Sequence, residues 1–330
     1  MPGPYDVYGI GNALVDIQYR VDPEYLDRMQ IEKGVMTLVG EERQKELMDS
    51  LRDVPSERAS GGSAANTMIG LANFGGRGYY ACKVGKDEYG DFYLKDLEAA
   101  DVAANLSNRE AGVTGKCLVF ITPDADRTMN TFLGITSTFG PGQVEEEVVR
   151  QSAYLYIEGY LLSSETGFQA ALAAQSYARA HGTQVAITLS DPFIVHVFKD
   201  QVREILDRGV DLLFCNEAEA QAYTETSNTA DACDALAGVV GRFAVTCGPD
   251  GAVVGEGGRR LKVPGFRVEA VDTNGAGDSF AGAFLFGMTR GYDAAQAAKL
   301  ATYTSSRVVA KYGPRLDGSL KEEVNRVLAL

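Results

Sequence analysis

The chain has 330 residues, 45% hydrophobic and 23% charged, and a formal net charge of −14. That is enough apolar material for a sizeable core, in a chain longer than the usual single domain, so one large domain with an appendage is expected. So acidic a chain argues against nucleic acid or an anionic membrane surface as the main partner, and an anionic substrate would have to be met by local N–H groups and a metal.

From the N-terminus, Met1-Pro-Gly-Pro-Tyr-Asp6 lacks a basic stretch followed by an apolar one, and no apolar run reaches about 18 residues, so a cytoplasmic protein is expected. Short strand-like runs at residues 7–10, 79–82, 153–157, 185–188, 210–214 and 243–246 alternate with helical patterns near 41–52, 63–74, 87–100, 164–180, 197–208, 229–240, 278–289 and 293–310. This is the order of a parallel sheet covered by helices. Two stretches break it, residues 15–38 and 107–136, where apolar and polar residues alternate as in antiparallel strands of a small separate sheet. Cys82, Cys117, Cys215, Cys233 and Cys247 form no CxxC pair and read as reduced, core-packed thiols rather than a disulfide framework or zinc site.

Two glycine turns each open a helix. Ser60-Gly-Gly-Ser-Ala-Ala-Asn66 precedes the first, and Asp272-Thr-Asn-Gly-Ala-Gly-Asp278 runs into the second. Unpaired N–H groups and the dipole make a helix start attractive to a phosphate. A carboxylate in an anion pocket then makes sense as a base for a group that attacks that phosphate. In isolation, Gly275 and Gly277 equally suit a plain turn, with Asp278 as a helix cap. Neither Gly85-Lys86 nor Gly115-Lys116 completes a P-loop, and Gly9-x-Gly11 is followed by Leu14 where a dinucleotide fingerprint needs Gly or Ala. The only histidines, His181 and His196, stand in no motif.

The two glycine segments resemble the signature motifs of the ribokinase (PfkB) family of carbohydrate and nucleoside kinases. Asn216-Glu-Ala-Glu219 is similar to its Asn-x-x-Glu motif, and Thr246-Cys-Gly-Pro-Asp-Gly251 to its nucleotide loop. Within the family, Gly9-Ile-Gly-Asn-Ala-Leu-Val-Asp16 and Thr188-Leu-Ser-Asp-Pro-Phe193 look most like the adenosine kinase branch, with Ala13 and Asp191 departing from its common residues. The resemblance implies a three-layer α/β/α sandwich with a mostly parallel central sheet and a small β-sheet lid. The large domain would take residues 1–14, 39–106 and 137–330, and the lid 15–38 and 107–136.

It implies ATP-dependent phosphorylation of a nucleoside 5′-hydroxyl, adenosine to AMP in purine salvage. Asp278 would be the base, and the backbone of Asn274, Gly275, Ala276 and Gly277 the anion hole. Arg127 matches a branch arginine that reaches the phosphate, although beside Asp124 and Asp126 it also reads as a solvated surface charge. Asn12, Asp16, Gly62, Ser63 and Asn66 would hold the ribose, with Met36, Leu133, Tyr160 and Phe193 around the base. Asn216, Thr246, Gly248 and Gly251 would serve ATP. Glu219 would hold Mg²⁺ through water, and Asp272 would ligate a K⁺-like ion; Asn216 and Glu219 also fit an ordinary helix start. A ribose or fructose kinase and a non-catalytic nucleoside-binding regulator remain alternatives. The partners expected are a small nucleoside or sugar, with no nucleic acid or membrane, for a monomer or homodimer.

Overall fold

A computed structural model of the chain describes residues 3–105, 108–124 and 126–329. The expected domain junction at residues 106 and 107, the chain ends, and Ala125 of the expected hairpin turn lie outside the described residues.

Among the described residues the central sheet has nine strands. From one edge they run Arg259–Val263, Ala252–Glu256, Arg242–Thr246, Leu212–Asn216, Gln184–Thr188, Ser152–Glu158, Tyr5–Ile10, Gly78–Ala81 and Ala103–Ala104. The first two pairings are antiparallel and the rest are parallel. Apart from the half-buried edge strand Ala103–Ala104, the parallel strands are buried on both faces, which is why they read as nearly unbroken apolar runs. Alternate residues feed two cores: Tyr154 and Tyr156 pack with helices Ser63–Asn73, Ala276–Thr289 and Ala294–Val309, while Leu155 and Ile157 pack with helices Glu165–His181 and Lys199–Asp207.

A second sheet orders Met36–Leu38, Arg127–Phe132, Gly115–Ile121, Leu14–Arg20 and Ser56–Gly61. It differs from expectation in two ways. Leu14–Arg20 pairs with Gly115–Ile121 in parallel, so the sheet is mixed rather than antiparallel. Ser56–Gly61, a polar run with no strand signature, pairs antiparallel with Leu14–Arg20 because its backbone satisfies that strand's open edge. The turn Gly61-Gly62 thus leaves the small sheet and enters helix Ser63–Asn73 of the large body directly.

Helices Ser63–Asn73 and Ala276–Thr289 cross at very close range. A Cβ on Gly282 would lie 2.4 Å from the Thr67 carbonyl oxygen and 2.8 Å from the Leu71 nitrogen, so only glycine fits. The small-residue run Ser279-Phe-Ala-Gly-Ala exists for this crossing, which lays the start of one helix beside the start of the other.

Candidate active site

Of the predicted residues, Asn12, Asn216 and Thr246 end or follow parallel strands at their carboxyl edge, where open α/β sheets bind ligands. Strand Tyr5–Ile10 runs into Gly11 and Asn12, and Ser152–Glu158 ends on a carboxylate. Glu158, 1% exposed, accepts hydrogen bonds from the backbone and side-chain amides of Asn12, each at 3.2 Å, and from the Ala64 amide at 2.8 Å. It therefore ties the first strand's loop to the start of helix Ser63–Asn73. Burial pushes its carboxyl up to about 7, against the pull of these donors. Sequence reasoning missed Glu158; its signal was a charged residue closing an apolar strand at the ligand-binding edge.

Asp278 stands in the first turn of helix Ala276–Thr289, partly open to the cleft. Ser63 Oγ donates to its Oδ1 at 2.6 Å and Asn66 Nδ2 to its Oδ2 at 3.1 Å, so both acceptor-turn residues orient the expected base. Desolvation raises its carboxyl to about 6, with the two donors opposing. Asn66 Oδ1 is buried without a hydrogen-bond donor, which suits a ligand hydroxyl. Asp16, on strand Leu14–Arg20, is 9% exposed; burial pushes it up to about 7, Arg315 and Arg127 pull it down, and Asp278 pushes it up.

The glycine turn that opens helix Ala276–Thr289 is built against the C-terminal loop. Gly275 has φ +73°, and a Cβ there would lie 1.9 Å from the Pro314 carbonyl oxygen. Asp272 Oδ1 accepts the Asn274 amide at 3.0 Å, Oδ2 accepts the Gly313 amide at 2.8 Å, and Arg127 Nη2 lies 2.6 Å from Oδ2. The Asn274 N–H, expected to line an anion hole, thus donates to the Asp272 carboxylate, and Asp272, expected beside a K⁺-like ion, carries a guanidinium and two N–H donors. The Ala276 amide makes a long 3.3 Å bond to the Thr273 carbonyl, and the Gly277 and Asp278 amides of the first turn, with no intrahelical partner, suit an anion.

Arg127 is not a solvated surface charge. Its side chain is 11% exposed, and both terminal nitrogens are buried without a well-directed hydrogen bond even beside Asp272, so its donors suit an incoming phosphate.

Asn216 and Glu219 form a reciprocal cap at helix Glu217–Thr224: Asn216 Oδ1 accepts the Glu219 amide at 2.8 Å, and Glu219 accepts the Asn216 amide at 3.0 Å and its Nδ2 at 2.7 Å. Burial raises Glu219 to about 7, with Asp191 and Asp278 adding to it. Asn216 lies opposite Thr246 across the sheet, so the loop carrying Gly248 and Gly251 sits alongside. Tyr160 lies in the turn Gly159–Ser163 within the field of Asp191, Asp278, Glu158 and Glu219, which, after burial, raise its phenol. Phe193 and Met36 stay 57% and 41% exposed, and Leu133 follows strand Arg127–Phe132. Among the described residues, no three His, Cys, Asp or Glu side chains come together as a metal site.

The sequence model of the pfkB family carbohydrate kinases matches residues 36–321. The chain is 28% identical to the adenosine kinase of Saccharomyces cerevisiae, over 92% of this chain and 95% of that protein. It is similar to the structure of adenosine kinase from Sinorhizobium meliloti, with 38% identity, a TM-score of 0.89, and 98% and 99% of the two chains covered. It is also similar to a probable sugar kinase protein from Rhizobium etli, with 36% identity, a TM-score of 0.91, and 98% of each chain covered.

Proposed function

This chain belongs to the pfkB family of carbohydrate kinases, and from that premise we propose that it transfers the γ-phosphoryl group of ATP to the 5′-hydroxyl of a nucleoside, adenosine foremost. The carrying observation is the Asp278 carboxylate, set in the first turn of a glycine-led helix and held by Ser63 and Asn66 of the opposite turn. In this reading one carboxylate would serve both an acceptor hydroxyl and a neighbouring anion pocket.

In this mechanism Asp278 takes the hydroxyl proton while the acceptor oxygen bonds to the γ-phosphorus and the bond to the β–γ bridging oxygen breaks, leaving ADP. A value near 6 leaves the base mostly ionised at neutral pH yet basic enough to accept a proton. The Gly275-Ala276-Gly277 turn with the first-turn amides, and Arg127, stabilise charge on the phosphoryl in flight. Asp16, Asn12 and Asn66 would hold the ribose hydroxyls, with the small sheet excluding water as a lid. Mg²⁺ arriving with ATP would neutralise phosphate charge, held by phosphate oxygens and by water on Glu219 and Asn216, whose oxygens keep free lone pairs. We read the protein as a cytoplasmic purine-salvage enzyme.

The test is ADP release with Mg²⁺-ATP across adenosine, inosine, guanosine, cytidine, ribose and fructose. Asp278→Asn should lower kcat by orders of magnitude while nucleoside affinity, measured calorimetrically, stays within a few fold. Near-normal turnover in that variant would remove Asp278 as the base, and turnover with free sugars alone would move the chain to the sugar kinases.

A further inference from the structure

Three consecutive residues of the loop after helix Ala294–Val309 touch three separate parts of the site. The Gly313 amide donates to Asp272 at 2.8 Å, the Pro314 carbonyl fills the space a side chain on Gly275 would need, and Arg315 reaches across to the acceptor side. There Arg315 Nη1 donates to the Ser60 carbonyl at 3.2 Å and to its Oγ at 3.0 Å, and Nη2 to Asp96 Oδ2 at 2.5 Å. Asp96 Oδ2 in turn accepts the Ser60 amide at 2.8 Å and its Oγ at 2.6 Å. Ser60 is fully buried and is enclosed by donors and acceptors on both backbone and side chain.

Ser60 matters because of its neighbours. Its strand pairs Val15 with Ser60 and Asp16 with Ala59, and a Cβ on Gly61 would lie 2.3 Å from the Asp16 carboxylate. The Asp16 carboxylate therefore lies against the backbone that Arg315 clamps. The charged and titratable groups around Asp16 are Arg315 from the C-terminal loop, Cys117 from the adjacent small-sheet strand, Arg127 from the strand beyond it, Tyr93 from helix Glu88–Ala99, and Asp278 from the glycine-led helix.

We propose that Arg315 is a positioning residue for phosphoryl transfer, clamping the strand beside Asp16 and supplying the cation that keeps the Asp16 carboxylate ready for the acceptor hydroxyls. It does so from the loop that also backs the anion hole, so acceptor and phosphate half-sites are set by one element. The proposal rests on the acceptor site assigned above.

The test compares Arg315→Met and Arg315→Lys with the full-length wild type, reading acceptor KM and kcat from pH 6 to 9. Asp16 already sits near 7, so losing one cation and raising it by about one unit lowers its ionised fraction at pH 7 about fivefold. Arg315→Met should raise KM about fivefold at pH 7 and recover towards wild type by pH 9, with kcat within about threefold. Arg315→Lys should keep the wild-type pH profile. An unchanged KM profile in Arg315→Met would overturn the proposal. So would equal losses of kcat and kcat/KM at every pH in both variants, the mark of a packing defect. A substrate-free carbon-13 titration of the Asp16 carboxyl separates this from the kinase reading. If the wild type transfers phosphate to no acceptor, that reading fails, while an upward shift in Arg315→Met alone still supports Arg315 and no shift still overturns it.

Discussion

Four carboxyls, Asp16, Glu158, Glu219 and Asp278, share the cleft, and burial raises every one of them. Two arginines, Arg127 and Arg315, are the cations that act on Asp16, yet their direct partners differ: Arg127 pairs with Asp272 before the glycine-led helix, Arg315 with Asp96 and Ser60. This division predicts separable kinetics. Arg127→Ala removes a buried guanidinium whose donors suit the phosphate, so kcat should fall at least tenfold with acceptor KM changed by no more than a few fold. Asp16→Asn keeps the volume but loses the carboxylate, so KM for the nucleoside should rise about tenfold or more with a smaller change in kcat. Steady-state kinetics decide it, and exchanged profiles would mean that the phosphate clamp and the sugar contact have been assigned the wrong way round.

At the scale of elements, Asp278 and its two orienting donors come from different helices, and Gly282 sets how closely those helices approach. Gly282→Ala must push helix Ala276–Thr289 away from helix Ser63–Asn73, since the added carbon meets backbone atoms that cannot rotate aside. Overpacking of this kind costs about 1–3 kcal/mol, and it should also lengthen the Ser63 and Asn66 contacts to Asp278. A drop in Tm together with a fall in kcat is expected, while Gly142→Ala, with nothing within 4 Å of the new carbon, should leave both near wild type. An unchanged kcat in Gly282→Ala would show that the crossing does not hold Asp278 in its working position.

This crossing also shows what the sequence could reveal. The parallel strands were legible because burial on both faces leaves continuous apolar runs, and the glycine turns because their chemistry is local. Ser56–Gly61 was not, since a polar edge strand is stabilised by its partner's backbone rather than by its own residues. Arg315 lies 255 residues from Ser60, and nothing in Gly313-Pro314-Arg315 announces a partner so distant. The Asn274 amide and the Asp272 carboxylate were motif positions whose neighbours, Arg127 and Gly313, only the fold supplies.

For the whole molecule, the cluster makes stability depend on pH in a sense opposite to that of an ordinary salt-bridged surface. A carboxyl whose folded value lies above its unfolded value near 4 binds more protons in the native state between the two, so the ligand-free protein loses stability as pH rises through that window. Asp16, Glu158 and Glu219, pushed up to about 7, and Asp278, to about 6, all act this way between about pH 4 and 7. For fully buried Glu158 alone, the shift from 4.5 to about 7 corresponds to on the order of 3 kcal/mol. Asp6, Asp87 and Asp96 act in the other direction. There burial is outweighed by hydrogen bonds, from Arg290 and Arg77 to Asp6, from Thr114 and Gly90 to Asp87, and from Ser60 and Arg315 to Asp96, so their stabilisation is lost as pH falls below about 4. Thermal unfolding without ligands should therefore give the highest Tm near pH 5, with a decline towards pH 8. In Glu158→Gln, which cannot ionise, the decline from pH 5 to 8 should be visibly shallower even if the variant is less stable throughout, because the amide cannot accept all three N–H groups that the carboxylate holds. Identical slopes in wild type and variant would mean that Glu158 is already ionised at pH 5, and that its three donors outweigh its burial.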